Sequence, residues 1–339
     1  MMNRTKAKIA VIAAIFVAVG FTSCGETLAE LEFNSNKTMV TGVANKDKNP
    51  TKAVIPEGVK VIGNGAFSLC RSLKSVTIPS SVKVIGVGAF SECDSLASVT
   101  LPEGVEEIGE NAFLECDSLA SVTLPEGVKV IGKNAFRECK SLASVTIPGS
   151  VEKIDRSTFY YCKSLASVTI GNGVKVIEDA FMSCESLASV TIPESVEEIR
   201  SGAFTYCKSL TNVTIPNSVK KLSGFQGTGL TSITIPEGVE EIGYVAFTEC
   251  KSLESVEIPS TVTKIGKSAF EKCETLTSVT IPASVKEIYE NAFEKCTLLR
   301  SVTFQGTKAQ WQAVHKWGIG TFAVQCTDGE LPSQKWSIY

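Results

Sequence analysis

Apolar and polar positions follow one another along this chain in a unit that recurs almost unchanged. In LASVTLPEGVEEIGENAFLECDS, residues 96–118, Leu96, Val99 and Leu101 point one way while Ser98 and Thr100 point the other. That alternation, with β-branched residues, predicts a short strand with one buried face. Pro102 follows and has no N–H to give a ladder, so pairing stops there. Val105 and Ile108 then turn the chain inward. Ala112, Phe113 and Cys116, at i, i+1 and i+4, suit a single helical or 3-10 turn facing the same interior.

The pattern L-x-S-V-T-[IL]-P-x-x-V-x-x-I-G-x-x-A-F-x-x-C-x-S begins at Leu73, Leu96, Leu119, Leu142, Leu165, Leu187, Leu210, Leu230, Leu253 and Leu276. A partial copy, residues 54–72, leads in, and a closing strand, residues 299–304, leads out. A fixed period of about 20–29 residues with recurring Leu, Val and Ile marks a leucine-rich solenoid. The predicted fold is therefore an α/β solenoid of 23-residue units, with a parallel strand ladder, short helical or 3-10 turns and a cap at each end. One unit cannot bury its own apolar face; stacking does so, and stability becomes a sum over neighbours.

The slot after the conserved-pattern Ile is Gly at 63, 86, 109, 132, 243 and 266, but Asp155, Glu178, Arg200, Ser223 and Tyr289 elsewhere. Glu, Arg and Tyr are poor at positive φ, so crowding or turn preference, rather than a left-handed backbone, accounts for the glycines. The copy at Leu165 is one residue short and has Gly171 where Pro is usual; the copy at Leu210 is three short. A notch for a ligand is one reading of the latter, and a deletion tolerated on a turn is the favoured one.

Outside the repeats, residues 1–24 read as a signal: Arg4, Lys6 and Lys8 precede an apolar run of 13 residues from Ile9 to Phe21, too short to span a bilayer. The run ends in Phe21-Thr22-Ser23-Cys24-Gly25, which resembles a bacterial lipobox with Phe where Leu is usual and designates Cys24 as the lipidated residue. Residues 25–30 are then a tether, 31–52 an N-terminal cap, 53–304 the repeats and 305–339 a C-terminal cap. In that last segment Thr307 is placed to cap a short helix carrying Trp311 and Val314, and Trp311, Trp317 and Trp336 are read as cap packing before a sugar platform.

Charge narrows the function. The formal net charge is −3, with Lys and Glu interspersed and no basic stripe, so nucleic acid is not an expected partner. Ten of the twelve cysteines, from Cys70 to Cys296, share one repeat slot, with Gly227 taken as its occupant in the shortened copy. Small thiols pack well inside proteins, and neither Cys-x-x-Cys nor a His partner for zinc occurs, so free buried thiols are expected. His315 is the only histidine; no Ser or Cys stands at a catalytic spacing from it, and no phosphate loop or metal-binding helix motif is present. Neither enzymatic activity nor a cofactor is expected.

The repeat IPxxVxxIGxxAFxxCxxLxxVTIP, together with the ending GTKAQWQAV and CTDG, resembles the BspA-like leucine-rich repeat family of bacterial surface lipoproteins over about residues 31–327. The resemblance implies a curved solenoid without catalysis, exported and lipid-anchored in the bacterial envelope, at the outer membrane or cell surface. It also implies contacts with extracellular matrix proteins or with other cell-surface proteins or glycans. The candidate ligand face is the outward strand row Ser98, Thr100, Ser121, Thr123, Ser144, Thr146, Ser167, Thr169, Ser189 and Thr191. Short hydroxyl side chains lose little entropy on contact and both donate and accept. The competing expectation is a periplasmic or envelope spacer whose Ser and Thr merely suit a solvated strand.

Overall fold

The computed structural model describes residues 26–336, so the apolar leader and Cys24 lie outside the described residues. Each coil crosses three faces. On the first, strands such as Ser98–Thr100 and Ser121–Thr123 run parallel, with Ser opposite Ser and Thr opposite Thr. On the second, two-residue strands such as Val84–Ile85 and Glu107–Ile108 pair in the same way. This second ladder runs from Met39–Val43 to Val130–Ile131 in one sheet and from Lys153–Ile154 to His315–Lys316 in another. The third face carries the Ala-Phe turns.

The turns are not helical. In each regular coil two residues take positive φ, such as Asn111 at 56° and Glu115 at 55°, one just before Ala112 and one just before Cys116. A left-handed residue interrupts any right-handed run. It also swings the backbone so that the turn bonds along the stack: Asn111, Phe113 and Glu115 donate their N–H groups to Lys133, Ala135 and Arg137 at 3.0, 2.8 and 2.8 Å. The expected helical or 3-10 turn is thus a third hydrogen-bonded ladder. Among the described residues the helices are a 3-10 turn at Lys46–Lys48 and one α-helix, Lys308–Ala313, both in the caps.

The two edges of a coil are bonded in opposite senses. On the second ladder Gly86 and Gly109 donate back to Ile62 and Ile85 of the preceding coil, each at 2.8 Å; on the turn face Phe67 and Phe90 donate forward to Ala89 and Ala112 of the following one, at 2.8 and 2.7 Å. The glycine slot is crowded, as expected from the sequence: a Cβ on Gly109 would stand 2.8 Å from the Gly86 carbonyl carbon, and one on Gly132 2.5 Å from the Glu110 nitrogen.

The interior is built from the predicted inward positions. Leu96, Val105, Ile108, Ala112, Phe113 and Cys116 are all buried, and their counterparts repeat the pattern. Eleven phenylalanine rings, from Phe67 to Phe293, stack one per coil with centroids 5.0–5.7 Å apart and planes within 21°. Phe322 of the C-terminal segment closes the column edge-on, at 88°.

Both ends are covered. Leu31–Phe33 pairs antiparallel with Met39–Val43, and Leu28 bridges to Lys52 at the head of the first ladder. At the other end Thr307 caps the helix through a capping box with Gln310, Gly320–Cys326 adds to the first ladder in parallel and Gly329–Trp336 folds back antiparallel as its last strand. Lys316 is buried there, and its Nζ donates to the carbonyls of Trp311 and Val314 at 2.6 and 2.5 Å, closing the C-terminal end of the helix. Burial draws its pKa down to about 8.

Candidate ligand-binding face

Five consecutive coils present the same outward residues on the first face. Ala97, Ser98 and Thr100 are exposed, and so are Ala120, Ser121, Thr123, Ala143, Ser144, Thr146, Ala166, Thr169, Ala188, Ser189 and Thr191, with Ser167 half-buried. Backbone bonds from Ala120 to Ala97, Ala143 to Ala120, Ala166 to Ala143 and Ala188 to Ala166, at 2.9, 3.2, 2.9 and 3.0 Å, hold these coils in register. The ten candidate residues therefore form one strip. The alanines beside them were not among the candidates, although the repeated L-A-S-V-T already signalled them.

The hydroxyls of this strip are uncommitted, unlike those of the turn serines. Ser81, Ser150, Ser195, Ser218 and Ser284, next to the second ladder, each donate to a valine carbonyl of the preceding coil at 2.5–2.9 Å. None of the ten strand hydroxyls has a protein partner among the described residues, and none of the ion pairs falls on the strip. The strip is uncharged and made of small groups, its hydroxyls able to donate and accept.

The strip ends at the shortened copy. Asn212 to Thr214 form no strand, and the first ladder resumes at Ser232–Thr234. The second ladder crosses the same copy without a break, Glu198 facing Lys221 and Lys221 facing Glu241. The notch is partly filled by Tyr206, whose ring lies where a Cβ on Gly227 would be, 2.4 Å away.

The cysteines form an internal ladder. From Cys93 to Cys296, Sγ donates to the Phe carbonyl of the preceding coil at 3.1–3.2 Å, as Cys93 to Phe67 and Cys116 to Phe90. The ten repeat thiols and Cys326 are buried and unbridged. Burial pushes the Cys93, Cys116 and Cys139 thiols well above their usual range, which removes the reactive thiolate. In the shortened copy the slot belongs to Thr228, not to Gly227: its Oγ1 lies 3.3 Å from Cys250 Sγ and donates to the Phe225 carbonyl at 2.8 Å. Gly227 stands three residues before Leu230, as Cys116 does before Leu119, but one of the three missing residues follows the slot and moves it to 228.

Away from the strip, a cleft of about 820 Å³ opens between the last coil and the C-terminal cap. Trp317 stacks on Tyr289 at 4.9 Å and 20°, and both stay partly exposed, at 42% and 36%. Trp311 and Trp336 are buried, so two of the three tryptophans are cap packing as expected and the third is not. His315 is exposed opposite Glu287 in the second ladder. No helix among the described residues is long and apolar enough to cross a membrane.

The family model for a BspA type leucine rich repeat region in six copies matches residues 43–166, 106–224 and 221–324. A leucine-rich repeat protein from Bacteroides ovatus ATCC 8483 is similar in structure, with a TM-score of 0.55 and 25% identity over 87% of this chain and 98% of its own. The leucine-rich repeat protein of T. pallidum is 33% identical over 54% of this chain and 87% of its own, with a TM-score of 0.49. The pneumococcal vaccine antigen PcpA shares the fold at a TM-score of 0.51 and 19% identity, over 85% of this chain and 81% of its own. A comparison with curated proteins finds no match.

Proposed function

The chain belongs to the BspA-type leucine-rich repeat family, and from that premise we propose that it is an exported, lipid-anchored scaffold that binds proteins or glycans at the cell surface without catalysis. The ligands in this reading are extracellular matrix proteins or other cell-surface proteins or glycans. The contact is made by the strip from Ser98 to Thr191. The observation that carries the reading is the uncommitted hydroxyl row: turn serines such as Ser150 and Ser195 are consumed by the fold, while these are held in register and left to the solvent. Identical shallow rungs favour a broad contact in which many weak interactions add through proximity. Anchoring rests on the run that ends at Cys24.

The test is a binding screen against matrix proteins and surface glycans with the wild type and the triple variant Thr123→Lys, Thr146→Lys, Thr169→Lys. Three long cations on exposed rungs leave the core untouched, so the thermal midpoint stays within about 1–2 °C, in line with the small effects of surface substitutions. Binding falls at least tenfold. Undiminished binding by the variant removes the strip as the site. Binding of no ligand by either protein overturns the reading in favour of an envelope spacer.

A further inference from the structure

We infer that the cleft between the last coil and the C-terminal cap is a second binding site, on a different face from the strip, and that it takes a neutral glycan. Two aromatic side chains, Tyr289 and Trp317, are left partly exposed by the fold. Tyr289 stands in the slot that is Gly266 one coil earlier and Gly243 one coil before that, so no side chain from the same slot covers it. The cap then sets Trp317 against it: Trp317 N–H bonds the Ile288 carbonyl at 3.2 Å, which brings indole and phenol together at 4.9 Å. The Tyr289 hydroxyl donates to Glu287 Oε2 at 2.5 Å and fixes that ring. The other large aromatic side chains of this end, Trp311, Trp336, Phe304 and Phe322, are buried; among the described residues this pair alone of the aromatics borders the cleft.

The rest of the lining decides the chemistry. Three lysines, Lys267, Lys295 and Lys335, face three glutamates, Glu271, Glu290 and Glu294. Lys267 is already matched to Glu290 at 2.7 Å. The charge is therefore balanced, which gives no field for a phosphate, sulfate or polyanionic ligand. The dense polar rim does not suit an apolar ligand, whose burial would strip ammonium and carboxylate groups of water. An aromatic platform with donors and acceptors around it fits a molecule that has C–H faces and hydroxyl edges. A neutral sugar has both: the faces pack on the rings, and the hydroxyls meet the lysine and glutamate termini in charge-assisted hydrogen bonds. At about 820 Å³ the space is in the range of small-ligand sites and holds a short run of sugar units.

The test uses the full chain and four neutral hexasaccharides, of the cello-, manno-, xylo- and malto- series, with hexagalacturonate as the charged control. Because Trp311 and Trp336 are buried, a ligand-dependent shift in tryptophan emission reports on Trp317; saturation-transfer NMR reports on variants that lack it. Expected is a saturable shift with at least one neutral sugar, insensitive to added salt. Trp317→Ala and Tyr289→Ala each weaken binding at least tenfold, while Trp317→Phe retains part of it. Unchanged circular dichroism and thermal midpoint show that the variants fold. The triple Lys variant of the strip binds the sugar as the wild type does, so failure here and failure of the strand-face reading are told apart. The inference is overturned by the absence of saturable binding to every neutral sugar, by binding that survives both alanine variants, or by salt-sensitive binding of hexagalacturonate alone.

Discussion

The coil from Leu96 to Ser118 and the coil from Leu210 to Gly229 share a strand half and differ in the turn half. From Leu to the second-ladder Ile or Leu each has the same number of residues, ending at Ile108 and Leu222. All three missing residues come from the stretch after Leu222. Yet Phe225 keeps its place in the aromatic column, 5.3 Å from Phe204 and 5.7 Å from Phe247, and Leu222 keeps its rung in the second ladder. What the short coil loses is the strand at Asn212 to Thr214 and the thiol, replaced by Thr228; both left-handed corners remain, now at Gly224 and Gly227. The coil at Leu165 repeats the lesson with a single missing residue, again after its Ile177. Inward positions are held by contacts on two sides, so the chain shortens in the turns between them.

The widest gap between the two kinds of coil is expected at the phenylalanines. Phe136 lies between parallel rings at 5.2 and 5.4 Å, and Phe136→Ala should destabilise by about 3–5 kcal/mol, as for a fully buried ring. Phe225→Ala should cost less in the same urea titration, because its ring is tilted 21° to Phe204 and the glycines around it let the coil collapse. Equal losses would mean that the short coil is packed as tightly as the regular ones.

The next effect belongs to the coil at Leu165. Its missing residue brings Glu178 into the glycine slot with its side chain 12% exposed, and Lys153, Arg156 and Arg200 close on it at 2.5, 3.1 and 3.1 Å. The hydrogen bond from Lys153, followed by that from Arg156 and the charges of Lys153 and Arg200, outweighs burial and draws the carboxyl down to about 2 from 4.5. Glu178→Gln should cost about 1.5–3 kcal/mol at neutral pH, the range for hydrogen bonds to charged groups. A carboxyl with a lower pKa in the folded state contributes its full stability above its unfolded value and loses it as pH falls through the folded one. The gap between wild type and Glu178→Gln should therefore be constant above about pH 4.5 and close as pH falls towards 2. A gap that stays constant over that window would show that the cations do not hold the charge. Smallest is Thr228→Cys, which returns the thiol to the short coil; a near-isosteric change should stay within about 1 kcal/mol, and a larger loss would show that the Thr228 hydroxyl is indispensable there.

The repeat made the solenoid legible, because a buried apolar position announces itself once per period. Ala112, Phe113, Val105 and Ile108 were all readable inward from spacing alone. Less was readable where the backbone, not the side chain, sets the geometry. Glu115 and Tyr161 do not look like left-handed residues, yet both have positive φ, since inter-coil hydrogen bonds along the turns outweigh the local strain. The face of the strip was legible from alternation, but the freedom of its hydroxyls was not: Ser98 and Ser150 are the same residue type, and only the distance to a neighbouring carbonyl separates them. The cleft was hidden for a different reason. Tyr289 and Trp317 are 28 positions apart by number, and it takes the cap's pairing to the last coil to join them.

The opposed hydrogen-bond senses at the two edges of each coil have a mechanical side. A pull on the C-terminal end loads the last coil through both edges and leaves the coils behind it relaxed, so bonds open one coil at a time, as in unzipping. A regular coil releases 23 residues and the two shortened ones 22 and 20, or about 70–80 Å of extended chain at ~3.3–3.6 Å per residue. The stack is thus arranged to lengthen coil by coil under tension and to keep every coil below the opening front intact.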